Sequence, residues 1–186
     1  MIYLSSDTHF GHDRGFIYSP RGFNSAQEND EVIVGRFNSI LRPDDDLYLL
    51  GDQMLGDNEN GINRLRQLTC KLHILWGNHD TDVRKVLYNH LPNVVEICGY
   101  ATMLKYNKWR FYLSHYPTIT DNLDDVSKPW QQVKNLYGHT HQKTNFYNDN
   151  PLMYHVGVDS HDCYPVSIEQ VIEDIKCKFQ ECKEIL

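Results

Sequence analysis

The sequence predicts a layered α/β domain, and three features of it carry that expectation. Short apolar runs bounded by loop residues recur along the chain, as buried strands do. Amphipathic helical patterns separate the first of these runs. A strongly marked helix then closes the chain.

The predicted strands are residues 2–5, 47–50, 72–76, 94–97, 109–113, 133–137 and 153–156. Between the first two, Ser25 and Glu28 have capping-box spacing, and Val32, Ile33, Phe37, Ile40 and Leu41 recur on one helical face. Pro43 and the run Asp44-Asp45-Asp46 end that helix in a turn. Ile62, Leu65 and Leu68 mark a second helix, and Val83, Val86 and Leu87 a third. Strands then follow closely, with hairpin spacing around Tyr106-Asn107-Lys108. Ser167 and Gln170 open the last helix, whose buried stripe is Ile168, Val171, Ile172, Ile175 and Phe179. No repeat, low-complexity tract or linker divides the chain, so residues 1–186 read as one domain.

Composition narrows the function classes. Hydrophobic residues make up 40% of the 186 and charged residues 23%, an ordinary globular balance. No apolar stretch approaches the roughly 20 residues that span a bilayer. Met1-Ile2-Tyr3-Leu4 runs into Asp7 with no basic region or cleavage site, which reads as a first core strand rather than a signal peptide. The five cysteines are odd in number and form no CxxC pair, so reduced thiols in the cytoplasm are expected. Only Cys163, near His161, has a histidine at ligand spacing, and a zinc-thiolate site is not expected. A formal charge of −7 argues against broad nucleic-acid binding but not against a small phosphorylated substrate near bound cations.

Function-bearing residues fall in five islands at predicted strand exits. They are Asp7-Thr8-His9, Gly51-Asp52, Gly77-Asn78-His79-Asp80, Ser114-His115 and Gly138-His139-Thr140-His141. Oxygen and imidazole donors suit divalent ions such as Mn²⁺, Fe²⁺, Zn²⁺, Ni²⁺ or Co²⁺. Asp7 and His9 are two apart, as are His139 and His141, which in continued strand geometry turns both side chains of a pair to one side. Gly51 allows close backbone approach or a positive φ. Taken singly, each island has an ordinary explanation: a solvated loop residue, a Gly-Asp turn, a helix cap at Asp80-Thr81. Together they lie at the carboxyl ends of strands, where open α/β sheets bind ligands.

In order and spacing, the islands resemble the calcineurin-like metallophosphoesterases. Asp7-Thr8-His9-Phe10-Gly11-His12 further resembles small bacterial and phage members. The resemblance implies an α/β fold of the four-layer α-β-β-α sandwich type, with a dinuclear centre at the strand ends. It implies that Asp7, His9, Asp52 and His141 hold one ion. Asp52, Asn78, His115 and His139 would hold the other, with Asp52 bridging. It makes His79 the group near the leaving alcohol and Asp80 its acidic partner. Two cations, manganese first among the possible metals, would lower the pKa of a shared water for in-line attack on phosphorus. Gln53-Met54-Leu55 after Asp52 lacks a polar residue found in some subfamilies.

Substrate contacts are expected from the loop after the first island, at His12, Arg14 and Arg21, since arginine's fork suits phosphate oxygens. Solvated loop charges explain Arg14 and Arg21 equally well. Phe10, Tyr116 and Trp130 are aromatic candidates for the pocket, although buried aromatics more often serve a core. His155 reads as a core histidine, His73 and His90 as structural or solvated, and His161 as a loop residue just past the last strand that is not counted in the site. The expected activity is a phosphohydrolase acting on a small phosphodiester or phosphomonoester, a phosphodiesterase rather than a strict monoesterase. A nuclease on short single strands and a non-catalytic metal-binding scaffold are the alternatives.

Overall fold

The computed structural model describes residues 1–121 and 131–184. In chain order its elements are β1 (Ile2–Ser5), α1 (Gly15–Tyr18), α2 (Ala26–Ile40), β2 (Asp46–Leu50), α3 (Asn58–Arg66), β3 (Lys71–Leu75), α4 (Asp82–Tyr88), β4 (Val94–Gly99), β5 (Ala101–Tyr106), β6 (Trp109–Ser114), β7 (Val133–Tyr137), β8 (Met153–His155), β9 (Val166–Ser167) and α5 (Ile168–Glu184). Every predicted strand and helix has a counterpart. The unexpected elements are α1 and β9, while β5 was signalled only by the hairpin spacing around Asn107. In β5 the only well-buried side chain is Leu104, so the strand carries little apolar signal of its own and is defined by pairing with β6 across the Asn107 turn.

Two mixed sheets face each other. The first has the order β4-β3-β2-β1-β9, parallel except for β9, and the second the order β5-β6-β7-β8. In the second sheet β5 and β6 are antiparallel, whereas β6, β7 and β8 run parallel. The alternation of side chains along β2 and β3 assigns the two faces of the first sheet. Leu47, Leu49, Leu72 and Ile74 turn outward to Ile33, Val34 and Phe37 of α2, Leu65 of α3 and Tyr88 of α4. Leu4, Leu50 and Leu75 turn inward to Phe111, Leu113, Leu136 and Tyr154, a cluster completed by Val171, Ile175 and Phe179 of α5. The result is an α/β sandwich with flanking helices. Burying each such Leu, Ile or Phe contributes about 1.5–3 kcal/mol.

The helix starts follow the sequence signals. Ser25 Oγ accepts from Glu28 N at 3.1 Å, and Ser167 Oγ from Gln170 N at 3.1 Å. The Glu28 carboxylate returns to Asn24 N rather than to Ser25, closing the box one residue early.

In-register parallel pairing brings the ends of β1, β2 and β3 to one edge. The loop after β1 bonds the loop after β2, through Asp7 N to Gly51 O (3.1 Å) and His9 N to Asp52 O (3.1 Å). The loops after β6 and β7 join through Gly138 N to His115 O (3.0 Å), and His139 N reaches across to Asp7 Oδ2 (2.8 Å). All five islands therefore converge on one rim. Phe10, an aromatic candidate for the pocket, is fully buried in the outer helix–sheet core, the role buried aromatics more often serve. Trp130 lies outside the described residues. Among the described residues no helix is long and apolar enough to cross a membrane.

Candidate metal centre

The ligand-bearing loops do not continue the strands, which corrects the expectation of strand geometry. Asp7, His9, Asp52, His139 and His141 all adopt left-handed backbone, with φ of 57°, 50°, 56°, 68° and 49°. Each such residue costs on the order of 1 kcal/mol and persists only where its surroundings dictate it. Here the surroundings are the cross-loop bonds just described, together with a buried arginine. Arg21 Nη2 donates to Asp7 O at 2.8 Å and Nη1 to Thr8 O at 3.3 Å. Glycines make room for the ligands: a Cβ on Gly51 would stand 2.5 Å from His115 Nδ1, and one on Gly77 2.2 Å from Asp52 Oδ1.

The side chains form two groups whose donor atoms converge. In the first, His9 Nε2 lies 3.2 Å from His141 Nε2 and 3.9 Å from Asp7 Oδ1, and His141 Nε2 lies 3.9 Å from the same oxygen. In the second, His115 Nε2 lies 3.3 Å from Asp52 Oδ2, 2.9 Å from Asn78 Oδ1 and 3.2 Å from His139 Nδ1. Asp52 Oδ2 also stands 4.0 Å from His9 Nε2, between the groups. Two ligand atoms each about 2.1 Å from a common ion stand roughly 3–4 Å apart. The donors therefore fit two divalent ions. Asp7 Oδ1 is buried without a hydrogen-bond partner and lies in the first group, where an ion would satisfy it.

Outer partners fix which nitrogen faces inward. His115 Nδ1 donates to Leu50 O (2.9 Å), and His141 Nδ1 donates to Asp159 Oδ2 (2.8 Å), leaving each Nε2 for an ion. The electrostatics follow from burial and from these bonds. Burial raises the Asp7 carboxyl and drives the His9 imidazole well below its usual value. Burial also opposes the charged forms of Asp52 and His115, but their mutual bond wins, holding Asp52 at about 2 and His115 at about 9. Without a cation the His115–Asp52 pair thus keeps its proton near neutrality, and a cation must displace it.

His79 stands at the mouth, its imidazole 43% exposed and its Nε2 4.0 Å from Asp52 Oδ2. Its backbone N–H donates to Asp52 Oδ1 (2.8 Å), and Arg84 bonds its carbonyl. Asp80 is a correction. Its carboxylate accepts from Gly77 N (2.7 Å), Asp52 N (3.0 Å) and the Tyr88 hydroxyl (2.5 Å), so it clamps the Asp52 loop rather than orienting the His79 ring. A cleft of about 460 Å³ adjoins the first group, lined by His9, His12, His79, His141 and Asp159 and by apolar Phe16, Ile17, Pro20 and Leu55. His12, an expected substrate contact, lines this cleft. Arg14 is exposed at the start of α1, outside that lining.

Arg21 is the other correction. Its side chain is 1% exposed and its donors are committed to Asp159, Asn29 and the Asp7 and Thr8 carbonyls, so it cannot reach a substrate. Tyr116 is half-exposed, with its ring edge-on to His139 at 4.6 Å and to His115 at 5.3 Å, on the side of the second group. His155 is fully buried, bonded through Nδ1 to Ser160, and His161 donates to the His155 carbonyl rather than entering the site. Asp159 escaped the sequence reading. Its only signal was the local run Asp159-Ser160-His161-Asp162, in which His161 drew the attention.

Comparison with known proteins agrees with this geometry. The family model described as "Calcineurin-like phosphoesterase superfamily domain" matches residues 1–162. An uncharacterised protein of Methanocaldococcus jannaschii is 28% identical over 183 residues, covering 94% of this chain and 91% of its own. The gene 66 protein of Mycobacterium phage L5 is 23% identical over 188 residues, covering 85% and 86%. Among solved structures, a protein of unknown function from Aquifex aeolicus superposes with a TM-score of 0.68 at 23% identity, over 93% of this chain and 98% of its own. That last likeness shows the fold alone.

Proposed function

This chain belongs to the calcineurin-like phosphoesterase superfamily, and from that premise we propose that it is a metal-dependent phosphohydrolase preferring small phosphodiesters to monoesters. The observation that carries the reading is the pair of converging His/Asp groups sharing one cleft mouth with His79. Asp7, His9 and His141 would hold one ion, Asn78, His115 and His139 the other, and Asp52 both. When bound, two such ions, Mn²⁺ first among the borderline metals, supply Lewis-acid activation of water and neutralisation of charge on the phosphoryl group.

The chain's own groups account for the rest. The hydrogen bonds to Asp52 and His115 hold their donor atoms in fixed directions before any ligand arrives, which lowers the reorganisation cost of reaction. His79, exposed at the mouth, is placed to give a proton to the departing alkoxide, a task suited to imidazole. The preference for diesters rests on the cleft wall. Among the described residues no lysine or arginine lines it, so little beyond the metals would meet the second charge of a monoester. Phe16 and Leu55 would instead contact an apolar or planar substituent.

A substrate panel with Mn²⁺ tests this reading: a bis-aryl phosphodiester, an aryl monoester, cyclic nucleotides and short single strands. Turnover of the diester should exceed that of the monoester by tenfold or more. A monoester preference would overturn the substrate reading, and no metal-dependent turnover of any ester would overturn the enzymatic one. His79→Ala should lower turnover of an alkyl-leaving-group ester about 10²-fold or more. It should leave a nitrophenolate-leaving ester nearly unchanged. Equal losses on both would remove His79 from the proton-donor role.

A further inference from the structure

A third convergence of ligand atoms lies away from this centre. Strand pairing sets Tyr48 of β2, His73 of β3 and Glu96 of β4 side by side. Because side chains two apart on a strand share a face, Asp46 joins Tyr48 and Cys98 joins Glu96. One His73 nitrogen, a Glu96 oxygen and Cys98 Sγ lie within 4.8 Å of one another. Along the chain Cys98 has no histidine or cysteine at metal-binding spacing, and Glu96 is its one neighbouring donor. Only the β3–β4 pairing brings it to a histidine. His73 lies within β3, whereas Asn78 of the dinuclear centre lies in the loop past that strand's end, and the third group shares no residue with the other two.

We propose that His73, Glu96 and Cys98 form a second metal site, selective for a thiophilic divalent ion such as Zn²⁺. The donor set of imidazole, carboxylate and thiolate suits zinc and cobalt and is poor for manganese or magnesium. The histidine is prepared as metal-bound histidines are. Asp46 Oδ1 holds Nε2 at 2.8 Å, and the Tyr48 ring stacks on the imidazole at 4.3 Å with planes 15° apart, which leaves Nδ1 directed at Glu96 Oε2, 2.7 Å away. The imidazole is 12% exposed and Glu96 54%, so an ion enters from solvent at the sheet edge and keeps a water as its remaining ligand. Binding forms the S–metal bond and releases the Cys98 thiol proton to solvent, along with any proton that Nδ1 shares with Glu96. No oxidant or reductant takes part.

The dinuclear centre contains only oxygen and nitrogen donors, so sulfur ligation does not report on it, and the Cys98 variant separates the new site from the other four thiols. The full chain is loaded with Co²⁺ and its absorption and bound metal are measured. A thiolate-to-cobalt charge-transfer band is expected, with up to three metal equivalents. In Cys98→Ser the band should vanish and the third equivalent should be lost, while metal-dependent phosphodiester turnover stays within twofold of the parent. Asp46→Asn keeps all three donors and should weaken the third equivalent by roughly 10–100-fold, which serves if the cysteine variant does not fold. A parent protein without the band, or a band that persists in Cys98→Ser, overturns the site. Loss of turnover with the band intact counts against the phosphohydrolase reading and leaves this site standing.

Discussion

The two halves of the dinuclear centre are built on different supports. The second group is held largely by backbone: His115 hangs on the Leu50 carbonyl, and Asp52 accepts the His79 N–H. The first group is held by buried charge. Arg21 forks onto Asp159 at 2.9 and 3.0 Å, Asp159 fixes His141, and the same guanidinium ties down the left-handed Asp7–Thr8 backbone. A backbone carbonyl cannot be deleted by substitution or neutralised by pH. A buried carboxylate can be both. The first group should therefore be the more fragile, and the second should survive its loss.

The largest effect would come from abolishing the distinction. Asp52 stands in both groups, so Asp52→Asn should weaken both metal equivalents and lower turnover at least 10³-fold, about 4 kcal/mol of barrier. Equilibrium dialysis against Mn²⁺ checks it. Normal binding of both equivalents would break the bridging assignment.

A smaller and more selective effect is expected from Asp159→Asn. The amide oxygen can still accept from His141 Nδ1, but the charge facing Arg21 is gone. One of the two metal equivalents should weaken by roughly 10–100-fold and the other should hold. Equal weakening of both would mean that the groups do not differ in support. Because Arg21 would then be a buried cation lacking its partner, a fall of several degrees in Tm should accompany the change.

That contrast also explains what was legible in the sequence. The seven expected ligands lie in short local motifs, each just past an apolar run, so strand prediction alone set them on one rim. Arg21 and Asp159 are 138 positions apart and belong to no common motif. Their pairing exists only once α1 and the loop after β8 are folded against β1, and Arg21 was accordingly expected to face substrate. Asp80 shows the same limit: besides the local Gly77 N–H, its partners are a backbone N–H in the loop after β2 and a tyrosine on α4. Strand β5 was marked only by the hairpin spacing after it, because its own burial pattern is weak and depends on its partner β6. The left-handed ligand backbone was foreseen only at Gly51, since glycine announces that conformation and aspartate or histidine does not.

The smallest effect concerns a titratable charge pair within the second group, the bond between His115 and Asp52. In the metal-free protein His115 is held at about 9, above the ordinary 6.5. A raised histidine contributes stability that is complete below pH 6.5 and is lost as pH rises through 9. Asp52, depressed to about 2, contributes in the opposite sense, its share being lost as pH falls from about 4 toward 2. Metal-free protein should thus be most stable between about pH 4 and 6.5 as far as this pair decides, and should lose on the order of 2 kcal/mol by pH 9. Urea midpoints at pH 6 and pH 9 after chelation would measure the loss. Added Mn²⁺ should reverse the slope, because the ion needs the unprotonated imidazole that high pH supplies. Asp52→Asn should flatten the chelated profile, and Asp159→Asn should leave this alkaline loss in place. An unchanged slope in Asp52→Asn would move the titration to the first group and overturn the assignment of its cause.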